Sequence, residues 1–157
     1  PMYFANSMAM VLCGKIPIDF GVNFVDGKPV FGRGKTFRGA LAGIICGTVI
    51  AAALAWAFPQ ATGIMSGNFV FLGFLLSAGA IACDMAVSFL KRRLCIEQGK
   101  EVIFLDQLNF VAGALVLGSF AYVPTLTEIA VISVATLVVH RASNYVAFKT
   151  KLKKVPW

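Results

Sequence analysis

Ser88 and Lys91 lie four and seven residues after Asp84, a spacing that puts all three on one helical face. Arg92 and Arg93 follow directly. Asp106 and Asn109 are three apart, again on one face, and Lys35, Thr36 and Arg38 run up to Gly39. Carboxylates beside cations, hydroxyls and a glycine suit the chemistry of polyanions. Mg²⁺ is commonly held by one or two carboxylates together with substrate phosphates. Lys and Arg neutralise the remaining phosphate charge, Arg through two parallel hydrogen bonds. A helix beginning at Gly39 is expected to offer free backbone N–H groups to the same anion. These are the parts of phosphoryl or nucleotidyl transfer, where positioning and charge stabilisation dominate.

Each feature also has a plainer meaning. Lys91-Arg92-Arg93 by itself is a common topology anchor, and Lys35 with Arg38 suits lipid headgroups equally well. Asp84 is different, because an ionisable residue after the apolar run Phe69–Cys83 is expensive unless it has a function. The case for a site rests on three segments reaching one level together.

The elements that must bring them there are membrane helices. Of the 157 residues 59% are hydrophobic and only 13% charged, about half the charge of an ordinary soluble domain. One small core cannot hide that much apolar surface, so lipid is the missing solvent. Four stretches have the roughly 20 apolar residues a bilayer crossing needs: Gly39–Phe58, Gly67–Leu90, Ile103–Tyr122 and Thr127–Phe148. Pro1–Leu12 is apolar but short, and residues 1–14 are expected to be a truncated first helix.

Charge distribution orients the set. Net charge is +7. Lys15, Lys28, Arg33, Lys35 and Arg38 oppose Asp19 and Asp26 in one segment, and Lys91, Arg92, Arg93 and Lys100 oppose Glu97 and Glu101 in another. The tail adds Lys149, Lys151, Lys153 and Lys154, whereas Pro59–Ser66 and Val123–Leu126 carry no charge. Alternate crossings put the basic segments on one side, which the positive-inside rule makes cytoplasmic. The expectation is an all-α, polytopic bundle of about five transmembrane helices. Residues 1–157 form one domain in the cell membrane, with loops 15–38 and 91–102 cytoplasmic. Its N-terminus is outside and its C-terminus inside. The excess positive charge is expected to meet a membrane surface, not nucleic acid.

Gly39, Gly43 and Gly47 recur every four residues, a small-residue stripe suited to close helix packing. Cys13, Cys46, Cys83 and Cys95 show no metal spacing, and His140 near a helix end reads as structural. Gly99 is expected to break the helical pattern in the second loop.

On these residues the sequence resembles the membrane cytidylyltransferases that make CDP-activated lipids. Lys35-Thr36-Phe37-Arg38-Gly39 stands where that family has Lys-Thr-x-(Glu/Arg)-Gly, and Asp84…Ser88…Lys91-Arg92 matches its Asp-x3-Ser-x2-Lys-Arg run. Asp106-Gln107-Leu108-Asn109 stands for the closing Asp-x-x-Asp, with Asn109 replacing the second acid. The Arg form of the first motif, Pro17-Ile18-Asp19…Asp26-Gly27, Tyr3 and Asn6 look like the archaeal branch, the CDP-archaeol synthases. The resemblance implies a Mg²⁺-dependent joining of CTP to a diether lipid phosphate, with pyrophosphate released. It assigns Asp84 and Asp106 to metal, with Asn109 as a third ligand lacking charge. Lys35, Arg38, Lys91 and Arg92 would hold triphosphate or lipid phosphate, with Thr36, Gly39 and Ser88 completing the phosphate contacts. Asp84, Asp106 and Lys91 would carry the transfer. Two other functions use the same residues: a CTP-dependent polyprenol or dolichol-type lipid kinase, and a small non-enzymatic transporter.

Overall fold

A computed structural model describes residues 1–97, 100, 102 and 105–149, leaving aside the side chains at 140 and 143–148. His140, Gly99, Glu101, the Ile103 start of the fourth span and the tail lysines after Lys149 therefore lie outside the described residues. The described residues form six helices. These are α1 (Met2–Val11), α2 (Phe37–Ala57), α3 (Pro59–Met65), α4 (Phe69–Arg93), α5 (Leu105–Gly118) and α6 (Leu126–Lys149). By length and composition, α2 and α4 can each cross a membrane. Their outward faces are apolar, with Leu41, Ile45, Val49 and Trp56 of α2 all exposed, as suits a lipid solvent.

Lipid offers no hydrophobic drive between helices, so close backbone approach has to hold the bundle. The glycine stripe does this. A side chain at Gly43 would sit 2.6 Å from the Ala5 carbonyl of α1, and one at Gly39 2.6 Å from the Ala9 carbonyl. At the α4–α5 contact Gly79 and Gly113 face each other, each occupying space a Cβ would need. Met2, Ala80, Phe110, Val111 and Ala114 form the core between α1, α4 and α5. Tyr3 stacks edge-on to Phe110 at 5.5 Å and shares a 2.6 Å hydrogen bond with Thr136, tying α6 to α1.

The helices depart from the expected spans at their ends. α3 is an added helix of about two turns inside Pro59–Ser66, started by Pro59 at its first position. α5 ends at Gly118, short of the expected Tyr122, where the chain turns at Ser119 and Phe120 through bonds to Leu115 and Leu117 carbonyls. α4 runs through Lys91, Arg92 and Arg93, which were expected to open a loop. Cations in a last helical turn complement the helix dipole, so nothing in their chemistry stops the helix there. It ends instead at Cys95, where φ is +60°. Ile96 N–H donates to the Lys91 carbonyl and Cys95 N–H to that of Arg92, the paired bonds of a Schellman stop.

Between α1 and α2 the chain is irregular, with two isolated bridges, Pro17 to Thr36 and Asn23 to Pro29. Asp19 organises it. Its carboxylate accepts from the amides of Gly21 (3.0 Å), Phe31 (2.9 Å) and Gly32 (3.0 Å). Burial pushes this carboxyl up, but the amides of Phe31, Gly32, Gly21 and Asp19 itself outweigh it and hold the group below its ordinary value.

Candidate active site

The site begins where this segment meets α2. Thr36 caps α2, its Oγ1 accepting from Gly39 N–H at 3.2 Å and from Gly14 N–H at 2.9 Å. This corrects two expectations. The Gly39 amide is taken by the cap and so is not free for an anion, and Gly39 is needed for its closeness to α1. Thr36 is 4% exposed and acts on backbone, although its hydroxyl hydrogen remains a donor.

Lys35, the residue before the cap, reaches α4 and forms an ion pair with Asp84. Their side chains are 26% and 22% exposed, so the pair lies open to an arriving ligand. Ser88 was expected beside the phosphates or the carboxylate. Its hydroxyl turns to its own helix, donating to the Asp84 backbone carbonyl at 2.8 Å.

One face further along α4, Lys91 pairs with Asp106 of α5. Its ammonium donates to both carboxylate oxygens, at 2.9 and 2.7 Å, and to the Lys100 carbonyl at 2.7 Å. An ammonium has three hydrogens, so in this state Lys91 has none left for a phosphate. Its visible function is to hold Asp106, which also accepts from Val102 N–H at 2.8 Å. Asn109 is buried, and its side-chain oxygen accepts from Phe110 N–H.

The remaining cations divide. Arg92 donates to the Ile96 carbonyl at 2.6 Å, and its Nε is buried without a hydrogen-bond partner among the described residues. Arg38 is exposed at the first turn of α2. Arg93, which the sequence reading left as a mere anchor, is a positioning residue. Its guanidinium lies over both the Phe24 and Phe89 rings at 5.0 and 4.7 Å, pairs with Asp26 at 3.0 Å and donates to the Pro29 carbonyl at 2.6 Å. Lys28 answers from the other side, donating to the Arg93 carbonyl at 3.2 Å. The segment before α2 is thus strapped to the end of α4. Alternating aromatic and charged residues were the only local sign of it.

Asp84 is thus carried by α4 itself, and Asp106 is held to the same helix through Lys91. Along α4, Asp84 and Lys91 are separated by about 10 Å of rise. Helical side chains lean towards the N-terminus, so the Lys91 ammonium and its Asp106 partner reach back towards the level of Asp84. Among the described residues no three carboxylate, thiol or imidazole groups gather into a ready-made cation cage. The donor set suits Mg²⁺ nonetheless, since that ion usually takes one or two carboxylates and completes its shell with substrate phosphates and water.

A largely apolar cavity of about 390 Å³ lies at the opposite helix ends, between Tyr3, Leu72, Leu115, Glu128 and Ile132. Leu72 is twelve residues, about 18 Å of helix, before Asp84, so this cavity is not the charged site.

Carboxylates and cations gathered at one end of long apolar helices suit a membrane enzyme that acts on polyanions. Comparison with known proteins places this chain within that class. The family described as CarS-like: CDP-archaeol synthase matches residues 1–157, and the chain belongs to it. The CDP-archaeol synthase of Pyrobaculum aerophilum is 44% identical over 161 residues, covering 100% of this chain and 93% of that protein. Those of Pyrococcus abyssi and Methanocaldococcus jannaschii are 43% and 39% identical, each over 100% of this chain. A solved structure, described as an intramembrane enzyme for archaeal membrane lipids biosynthesis, superposes with a TM-score of 0.83 at 36% identity. The match covers 92% of this chain and 88% of that one. The transporter reading falls with this membership.

Proposed function

We propose that this protein joins CTP to the phosphate of an archaeal diether glycerol lipid, releasing pyrophosphate, with Mg²⁺ as cofactor. The observation that carries the reading is the placing of Lys35–Asp84 and Lys91–Asp106 along one end of α4, beside Arg92 and Arg38. Asp84 and Asp106 would hold Mg²⁺, with the uncharged Asn109 amide beside Asp106 as a weaker third donor. Bound there, the cation would offset charge developing on the triphosphate.

The chain's own residues supply the rest. Arg38, exposed at the first turn of α2, keeps donors for phosphate oxygens, Arg92 would add its charge from the last turn of α4, and Lys35 brings a third cation from the start of α2. Lys91 fixes the Asp106 carboxylate through two hydrogen bonds. A lipid phosphate is already anionic near neutral pH, so attack on the α-phosphorus of CTP needs no separate general base. The work left to the protein is alignment and charge neutralisation. We assign the site and the segments 15–38 and 91–102 to the cytoplasmic face of a single multi-pass membrane domain, N-terminus outside. The lipid chains then stay in the bilayer while the phosphate reaches the surface.

The test is product identity. Purified protein given CTP labelled at both α- and γ-phosphates, with Mg²⁺ and a diether glycerol phosphate, is expected to yield labelled CDP-lipid and pyrophosphate. Release of CDP with γ-label on the lipid would make it a lipid kinase.

A further inference from the structure

Lys35 and Lys91 hold their carboxylates in different ways. Asp106 takes two bonds from Lys91 and one from the Val102 amide, and although its own side chain is 26% exposed, that lysine is only 9% exposed. Among the described residues the Asp84 carboxylate has one partner, Lys35, and both side chains are about a quarter exposed. No other hydrogen bond holds the Lys35 ammonium among the described residues. The backbone beneath it is fixed, because the Lys35 carbonyl accepts from Ile18 N–H at 2.8 Å and Thr36 caps α2. A single long side chain on a fixed base can swing without moving a helix.

Taking the assignment of Asp84 to the cation from the proposed function, we infer that Lys35 is an exchangeable counter-ion for Asp84. Its ammonium occupies the carboxylate until a divalent cation arrives with nucleotide, and it then passes to the triphosphate. Charge balance drives the exchange. A carboxylate near membrane depth needs a neutralising partner at all times, and Lys35 provides it when the site is empty. A divalent cation alone must expel the ammonium and leave it without an anion, which opposes binding. A cation arriving with a polyanion gives the displaced ammonium a new partner. Cation and nucleotide are therefore expected to bind cooperatively, and Lys35 is the residue that couples them.

Mn²⁺, followed by its electron paramagnetic resonance, tests this without turnover. The full chain in detergent is titrated with Mn²⁺ alone, and again with saturating CTP. Wild type is expected to bind Mn²⁺ weakly alone and more tightly with CTP. Lys35→Gln and Lys35→Met are expected to bind Mn²⁺ alone about fivefold more tightly than wild type, the equivalent of removing one partly exposed ion pair. They should also lose most of the enhancement by CTP. Lys35→Arg, which retains the pair, is expected to behave as wild type and serves if the other two prove unstable. A tenfold gain in metal-only binding by Lys35→Arg would contradict the idea. If the Gln and Met variants bind Mn²⁺ no better than wild type while Asp84→Asn binds worse, Lys35 does not compete and this inference is wrong, though the metal assignment survives. If Asp84→Asn binds Mn²⁺ with CTP as well as wild type, the metal assignment itself fails.

Discussion

Asp84 and Asp106 have the same side chain and different consequences when altered. Asp84→Asn removes a charge from a pair whose lysine is 26% exposed and can turn to water, so its effect belongs to chemistry. Turnover is expected to fall by at least about a hundredfold, as when a charge-stabilising group is removed, with the thermal midpoint nearly unchanged. Asp106→Asn leaves Lys91, 9% exposed, facing a neutral amide. Breaking a buried pair from one side costs more than the pair contributes, here about 2–3 kcal/mol in detergent melts, in addition to lost activity. Equal melting of the two variants would remove the distinction between a carboxylate paired with a partly exposed lysine and one paired with a buried lysine. The sequence showed that Asp84, Ser88 and Lys91 share a face, because helix periodicity is a local property. It was silent on which lysine meets which carboxylate, since Lys35 and Asp84 are 49 residues apart and only folding joins them. Ser88 was misread for a related reason. A helical serine has its own backbone carbonyl four residues back within reach, and here that bond is made in preference to one with the site.

Element boundaries were legible where a residue type enforces them and obscure where geometry does. Thr36 announces the start of α2, and the glycine stripe announces the face that receives α1. The end of α4 carries no such sign, because Cys95 adopts the left-handed conformation usually left to glycine or asparagine. Cys95→Gly is therefore expected to stabilise the protein by about 1 kcal/mol, less whatever the 2.9 Å contact of the thiol with Lys28 contributes. A lowered melting midpoint would mean that this contact outweighs the strain. The segment before α2 gives a second test, through pH. Asp19 has its carboxyl held below the ordinary value in the folded state, so folding favours the ionised form. Its contribution is fully present above the ordinary carboxylate range and is lost as pH falls through the lowered folded value. Asp19→Asn should therefore melt below wild type at neutral pH, with the gap closing on acidification towards that value. A gap that stays constant with pH would show that the carboxylate charge does not hold the segment.

At the scale of the whole molecule, the strap between Arg93 and the segment before α2 puts two basic segments at one end of the bundle, and the proposed cytoplasmic orientation of that end rests on the charge asymmetry of the sequence. Cys13 and Cys95 are both exposed, one after α1 and one after α4. The 2.9 Å approach of Lys28 to Cys95 puts the segment between α1 and α2 at the same end of the bundle as the end of α4. Cys46 and Cys83 lie within α2 and α4 and are half-buried. A membrane-impermeant maleimide therefore distinguishes the two ends without any new cysteine. If the basic segments face the cytoplasm, Cys13 and Cys95 label in inverted vesicles and stay protected in right-side-out ones. Cys13→Ser and Cys95→Ser each remove one of the two modified peptides seen by mass spectrometry. Labelling from the outside would reverse the orientation while leaving the site intact, because the ion pairs depend on helix contacts and not on the leaflet. Such an enzyme would face the side where CTP is scarce, a conflict with the proposed reaction that the ion pairs alone could never reveal. Labelling of one cysteine from each side would go further and break the bundle's topology, since Lys28 reaches Cys95 only if both segments emerge on one face.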